Sequence, residues 1–518
     1  MTKLPQILDK LKRESKPLVE AEKTIKVNES VGQAAFYYEK LRNSLDWQDE
    51  HLFLKNAIKR TLKRRIYLGM NQRDTARVLL RDLVWAKYFR NESVPLDYIE
   101  EVAAILRKYN YLRRNIISTY NAPKITEIVL GLVACEIEEF LRPSNAEKDY
   151  VELAVNHIKG NLNISEQELS GDELEIMLHV GVLREIFKAD LDQLRFYLIK
   201  TGFSNWPHVT KLDIERFGKS FDALIAQIDH YIFDNVSRKL QRSSKRYMPP
   251  FRIIWEIITR HYDREVILKS EDTLESATVE IIRRKNKSIY SRVLRSIVRG
   301  IIFILLTKII LALIIEYPYE LKYLGEVNYT ALLVNILLPP VLMLIIGLFI
   351  KIPGPKNTKM LVNQVRQIVI EDKFDQPKIF TLERKRSGLY ILFNALYLLS
   401  SIGILALVTW GLVSLRFNLI SIILFFFFVS LVSFLAFRIS GIAKELEVRS
   451  RDDTILIGIY NFIFVPFVFI GKILSEQWSN YNLTLWFWDF IIEAPFKTIM
   501  SLFESWLSFV REKREDFE

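Results

Sequence analysis

The sequence predicts an all-α protein in two parts: a cytoplasmic multi-helix domain followed by a polytopic α-helical membrane domain. Three observations predict this. Through the first 296 residues, apolar side chains recur at three- and four-residue spacing, and no run shows the strict alternation of a half-buried strand. Glycine, with 18 residues in 518, is too scarce for many hairpins. From about residue 297 the chain changes solvent. Five apolar stretches follow, each long enough to cross a bilayer, separated by short charged loops.

The elements follow in order. The opening MTKLPQILDKLKRESKPLVEAEK is polar and periodic, with no continuous apolar core, so it does not read as a signal peptide. Residues 73–89, RDTARVLLRDLVWAKYF, place Val78, Leu79, Leu83, Val84 and Tyr88 on one helical side. LDYIEEVAAILRKYNYLRRNII follows Pro95, and KITEIVLGLVACEIEEFL follows Pro123, as first-turn prolines would. ELEIMLHVGVLREIF, LDQLRFYLIKTGF and DIERFGKSFDALIAQIDHYIFDNV extend the series, without a fixed repeat period. RSSKRYMPPF (242–251) marks a boundary, where Pro249 and Pro250 stop one helix and Phe251 begins the next. The domains are therefore drawn as 1–250, a cytoplasmic helical domain; 251–296, a helical connector with a basic end; 297–474, the membrane domain; and 475–518, an amphipathic C-terminal segment.

Spans are expected at 297–316, 329–350, 388–413, 419–437 and 454–474, with a short amphipathic helix, TKMLVNQVRQIVI, in the loop after Lys351. The tail from Asn482 to Val510 is apolar but holds Asp489, Glu493, Lys497 and Glu504. Each charge at a span's centre costs about 2.5–3.5 kcal/mol on insertion scales, which favours an interfacial or packed amphipathic helix over a sixth span. Basic residues number seven in 283–299, nine in 351–387 and four in 438–453, against Lys322 and Arg416 alone in the intended outer loops. That asymmetry puts the N-terminal domain on the cytoplasmic side of a plasma or inner membrane. It also explains the net charge of +11 without nucleic acid, which is not expected as a partner.

Lys308 sits deep in the first span, and an ionisable group there marks a candidate functional site. Asn335, Asn394, Asn461 and Glu493 of the tail are its candidate partners, because no carboxylate is seen in the other spans. Lacking one, Lys308 reads as structural, and Lys308→Leu is expected to be neutral or stabilising. Pro339 and Pro340 are a candidate helix break in the second span. Arg283, Arg284, Lys285, Lys287, Arg292, Arg295 and Arg299 are expected to meet anionic lipid head groups. Two further basic groups, Lys59–Arg65 and Arg238–Arg246, could hold phosphates but read more simply as solvated helix faces. The string Phe425 to Phe428 is a lipid-facing or packing element.

No catalytic, cofactor-binding or metal site is expected. Cys135 is the single cysteine, and the six histidines lack partners at metal-ligand spacing. Carboxylates such as Glu136, Glu138, Glu139, Asp172, Glu173 and Glu175 form no acid/base pattern, although Glu175 and His179 share a face. There is no glycine-rich phosphate loop, no Gly-x-Ser-x-Gly and no His-Glu-x-x-His. The expectation is a non-enzymatic, membrane-tethered scaffold that recruits a cytoplasmic protein. The alternative is a transporter or channel with a cytoplasmic regulatory domain.

Overall fold

The computed structural model describes residues 4–14, 23–28, 52–66, 71–160, 171–203, 206–260, 264–374, 388–448 and 466–473, with single positions or short pieces at 32–33, 35–37, 39, 464, 506 and 510. The described residues are helical throughout and hold no strand, only one isolated bridge between Thr24 and Pro95. The chain forms two compact units. The first is Met1–Met248 with Asp372–Phe380 and Thr484–Glu518; the second is Pro249–Glu371 with Thr381–Leu483.

In the first unit, α1 spans Leu4–Glu14, α2 Phe53–Ile66, α3 Gln72–Trp85, α4 Tyr98–Asn115, α5 Ala122–Leu141 and α6 Asn145–Lys159. They are followed by α7 Gly171–Ile186, α8 Leu191–Gly202, α9 Lys211–Lys219, α10 Phe221–Phe233 and α11 Asn235–Ser244. Caps fix several starts. The Asn121 side chain accepts from Lys124 N, with Pro123 in the first turn of α5. Asp190 and Gln193 form a reciprocal capping box on α8. The helix expected over 73–89 ends at Trp85, because the chain turns through Lys87 at φ 59°. Pro95 precedes α4 and belongs to the bridge with Thr24; the cap position is Asp97. Helices α3 and α4, α2 and α5, α5 and α8, α6 and α7, and α7 and α11 pack in pairs. Their apolar stripes close one core around Leu79, Leu83, Val102, Ile137, Trp206 and Phe217.

In the second unit, α12 spans Met248–Arg260, with Pro249 and Pro250 in its first turn, where a missing N–H costs nothing. A short α13, Arg264–Lys269, leads into α14, Glu271–Leu311. The expected boundary at residue 296 falls inside α14, one 41-residue helix about 60 Å long. Beyond it the chain coils on through π-helical turns at Ala312–Glu316 and Glu320–Leu324. Then come α15 Tyr329–Phe349, α16 Pro355–Val369, α17 Gly388–Ser414 and α18 Leu419–Ala443. Helices α14, α15 and α18 pack on one another. Small residues let them approach: a Cβ on Gly347 would stand 3.0 Å from Ile297, and one on Gly300 only 2.8 Å from Leu435.

Four helices among the described residues are long and apolar enough to cross a membrane. They lie within Glu271–Tyr323, Tyr329–Phe349, Ala395–Ser414 and Leu419–Ala443. Five were expected. The fifth stretch, 454–474, is described only at 464 and 466–473, where it is helical, and the tail 475–518 only at Trp506 and Val510. The outer faces of these helices are apolar: Ile302, Phe303, Leu306, Leu313, Leu348 and Leu399 are all more than half exposed.

Candidate functional site

The site is built on a run of buried positions four residues apart. Ile304, Lys308, Ala312, Glu316 and Glu320 are at most 3 % exposed. In a straight α-helix, eight residues overshoot two turns by about 80°, so Lys308 and Glu316 would face different ways. The wider π turn from Ala312 removes that excess and aligns them. Lys308 Nζ donates to Glu316 Oε1 at 2.5 Å, and both side chains are fully buried. The ammonium also stands 5.1 Å from the centre of the Phe428 ring, a cation–π contact.

Two other helices close the cluster. Asn335 of α15 donates its amide to both Glu316 oxygens, at 3.1 and 3.0 Å, and lies 3.3 Å from the Ser421 carbonyl oxygen. Ser421 of α18 reaches Glu316 through its hydroxyl at 3.5 Å. Glu320 lies one turn further on. It accepts from the Asn328 backbone N–H at 3.0 Å and from the Asn418 side chain at 2.6 Å. Asn328 and Asn418 are the cap residues of α15 and α18. Glu320 therefore faces two helix N-termini, whose partial positive charges suit a carboxylate. The charges balance in pairs: Lys308 against Glu316, and Glu320 against two helix dipoles. One acceptor stays unused among the described residues, the fully buried Asn335 Oδ1.

The candidate residues named from the sequence fall out unevenly. Lys308 and Asn335 meet through Glu316, which the sequence reading placed at the end of the first span and did not consider as a partner. Its presence reverses the reading of Lys308→Leu, since that change would leave a buried carboxylate unpaired. Asn394 lies in α17, but its side chain is outside the described residues, as are Asn461 and Glu493. Pro339 and Pro340 do not break α15, which is continuous from Tyr329 to Phe349. Both prolines are buried. Their missing N–H groups leave the Asn335 and Ile336 carbonyls without helical donors. Of the seven basic residues assigned to lipid, Arg284 and Lys285 pair with Glu256, and Arg292 with Glu445. Burial pushes the Glu256 carboxyl up, but its three cationic neighbours Lys285, Arg260 and Arg284 hold it below the ordinary range. Arg283, Lys287, Arg295 and Arg299 stay exposed on α14, with no ion pair among the described residues.

In the first unit, Glu136, Glu139 and Glu175 are tied into ion pairs and hydrogen bonds. Glu136 accepts from Lys108 at 2.5 Å and from the Tyr109 hydroxyl at 2.7 Å, and Tyr109 in turn accepts from Trp206 Nε1 at 2.9 Å. Glu139 pairs with Lys148 and Lys200. His179 Nδ1 contacts the Glu175 carbonyl oxygen, while the Glu175 carboxylate binds Lys159, so the two are not an acid/base pair. Lys59 and Arg60 are bound by Asp192, Glu127 and Glu39, which takes those two out of reach of a phosphate. Phe425 and Phe428 are buried packing residues, and Phe428 carries the ring beneath Lys308. Among the described residues, no group of acidic, histidine or cysteine side chains could hold a metal ion. No protein family, curated protein or solved structure matches this chain.

Proposed function

We propose that this protein is an integral membrane anchor. It tethers a large helical domain to the cytoplasmic face of a plasma or inner membrane, where that domain recruits a protein partner, and it is not an enzyme. The observation that carries the reading is the closed charge balance of the Lys308–Glu316–Asn335–Ser421 cluster. A transport path needs polar groups that exchange partners with a moving ion or substrate. Here the lysine and its carboxylate belong to one continuous coil and neutralise each other, which suits a fixed core. The exposed Arg283, Lys287, Arg295 and Arg299 suit anionic head groups, and the count of basic residues supports a cytoplasmic first unit.

The test is the double variant Lys308→Leu/Glu316→Leu in the full chain. The anchor reading expects it to insert, fold and keep the binding partner captured by the native protein. Two observations favour transport as a second reading: the idle Asn335 Oδ1, and the main-chain carbonyl of the same residue, which Pro339 leaves without a helical donor. Under that reading the double variant would insert but lose a proton or ion flux measured in proteoliposomes. Topology has its own test, cysteine labelling at Lys359 in a Cys135→Ser background. Reaction with an impermeant reagent from outside intact cells would reverse the orientation.

A further inference from the structure

A cavity of about 310 Å³ opens in the first unit between α2, α3, α4 and α5. That volume is at the lower end for small-molecule sites, which run from about 300 to 1,000 Å³. Its floor is apolar, made of Leu62, Leu106, Val129, Leu130 and Val133, with the ring of the buried Tyr109 beside them. Its rim is cationic. Arg113 and Arg114, in the last turn of α4, both line it and are exposed, and neither has an ion pair or a side-chain hydrogen bond among the described residues. Arg65 from α2 adds a third guanidinium; burial pulls its pKa down, and Asp82 counters. No carboxylate lines the cavity among the described residues.

Two further features point the same way. Gln72 and Thr75 bring the first turn of a 14-residue helix, α3, to the wall, where its dipole adds to the positive potential although the Asn71 side chain caps the Arg73 N–H. The one acid in that turn, Asp74, does not line it. The Asn110 and Gln72 amides also line it, and neither has a side-chain partner among the described residues. Arginine at a helix C-terminus needs no ligand to explain it, because it complements the dipole. The apolar well and the two half-buried amides beside it do not share that explanation.

We propose that this cavity binds a small soluble organic anion, with its carboxylate or phosphate held by Arg113 and Arg114 beside the α3 N-terminus and a short apolar body resting on Leu62, Leu106, Val129 and Val133. The guanidinium fork matches either oxyanion bidentately. The volume suits a metabolite and is too small for a diacyl lipid. The inference does not depend on the anchor reading, since it concerns the first unit alone.

Calorimetric titration of the full chain in phosphatidylcholine nanodiscs with butyl phosphate tests it. Saturable binding of one butyl phosphate per chain is expected, with inorganic phosphate and butanol each at least tenfold weaker. Arg113→Gln/Arg114→Gln should weaken butyl phosphate at least tenfold while lowering the melting temperature by no more than a few degrees, because both side chains are exposed and lose only their interaction with the helix dipole. Affinity should not change when the nanodiscs carry anionic phosphatidylglycerol. No saturation at millimolar concentration, butanol binding as well as butyl phosphate, or indifference to the arginine changes would each overturn the proposal. Displacement of the probe by anionic nanodiscs would give the site to a bilayer lipid and overturn the soluble-ligand assignment.

Discussion

Lys55 in the first unit and Lys308 in the second are both buried lysines, 1 % and 0 % exposed, and they are held in opposite ways. Lys55 is paired with Asp190 and, at 3.3 Å, with Asp192, whose side chains remain 29 % and 13 % exposed. Lys59 shares Asp192 at 2.6 Å. The ammonium is covered, but its counter-charges still touch water. Lys308 has a partner as deeply buried as itself, a neutral amide on the next helix, and an apolar exterior beyond. The first unit turns apolar groups inward and lets charge reach solvent; around Lys308 the second encloses its charges and turns apolar side chains outward. Whether the partner reaches water decides what losing the lysine should cost.

The largest expected effect is on the sealed pair. Glu316→Leu or Lys308→Leu alone strands a buried charge and should cost about 3–5 kcal/mol. The double change should return most of that loss, because two apolar side chains replace two desolvated charges. Thermal unfolding in detergent micelles reads this directly, and single variants as stable as the native chain would break the comparison.

A smaller loss, about 1–3 kcal/mol, is expected for Lys55→Met, since Asp190 can hydrate and Lys59 still holds Asp192. If it matched Lys308→Leu, access of the partner to water would not be the controlling difference.

Helix caps sharpen the contrast at lower energy. Asn121→Ala removes an exposed cap in the first unit and should cost about 1 kcal/mol. Asn418→Ala removes both a cap and a hydrogen bond to the buried Glu320, and should cost about 2 kcal/mol. Equal losses would remove Glu320 from the account.

A further effect is one of pH and belongs to the first unit. Burial pushes the Glu138 carboxyl up to about 7, against the hydrogen bond from Gln193 and the charges of Lys55 and Arg142, while Asp190 adds to the rise. The folded state then binds a proton that the unfolded chain releases above about 4.3. Stability should therefore fall as pH rises from about 4.5 to 7, the reverse of a salt-bridged acid. Burial also pushes the neighbouring Glu147 carboxyl up to about 7, so Glu138→Gln should reduce that slope without abolishing it, and an unchanged slope would assign it to other groups.

Much of this architecture was legible because helices advertise themselves locally. The 3.6-residue stripes of α3 to α5 and the apolar lengths of α15 and α18 needed no tertiary information. Even Lys308 and Asn335 were visible, as polar residues where none should be. Glu316 was missed because a span was assumed to keep α-helical pitch and to end where its apolar run ends. The signal was present as a spacing of four through Ile304, Lys308, Ala312, Glu316 and Glu320, intermediate between α and π periods. The basic row on α14 misled in part for a different reason. Charge counts do not show that Glu256 and Glu445, remote in sequence from Arg284, Lys285 and Arg292, would take up those three. The cavity beside Arg113 arises where four helices meet, and no single stretch encodes it.

The π turn after Leu311 also bears on the order of synthesis. Lys308 meets Glu316 only eight residues later, whereas Asn335 follows Glu316 by 19 residues and Ser421 by 105. Taken as a membrane span, this first segment carries its own counter-ion and can enter the bilayer electrically neutral before α15 or α18 has been made. A partner on a later helix would leave the lysine waiting in hydrocarbon, or the segment waiting outside it. The fold of one helix thus fixes the schedule of the others, which can be added to a base that is already self-sufficient.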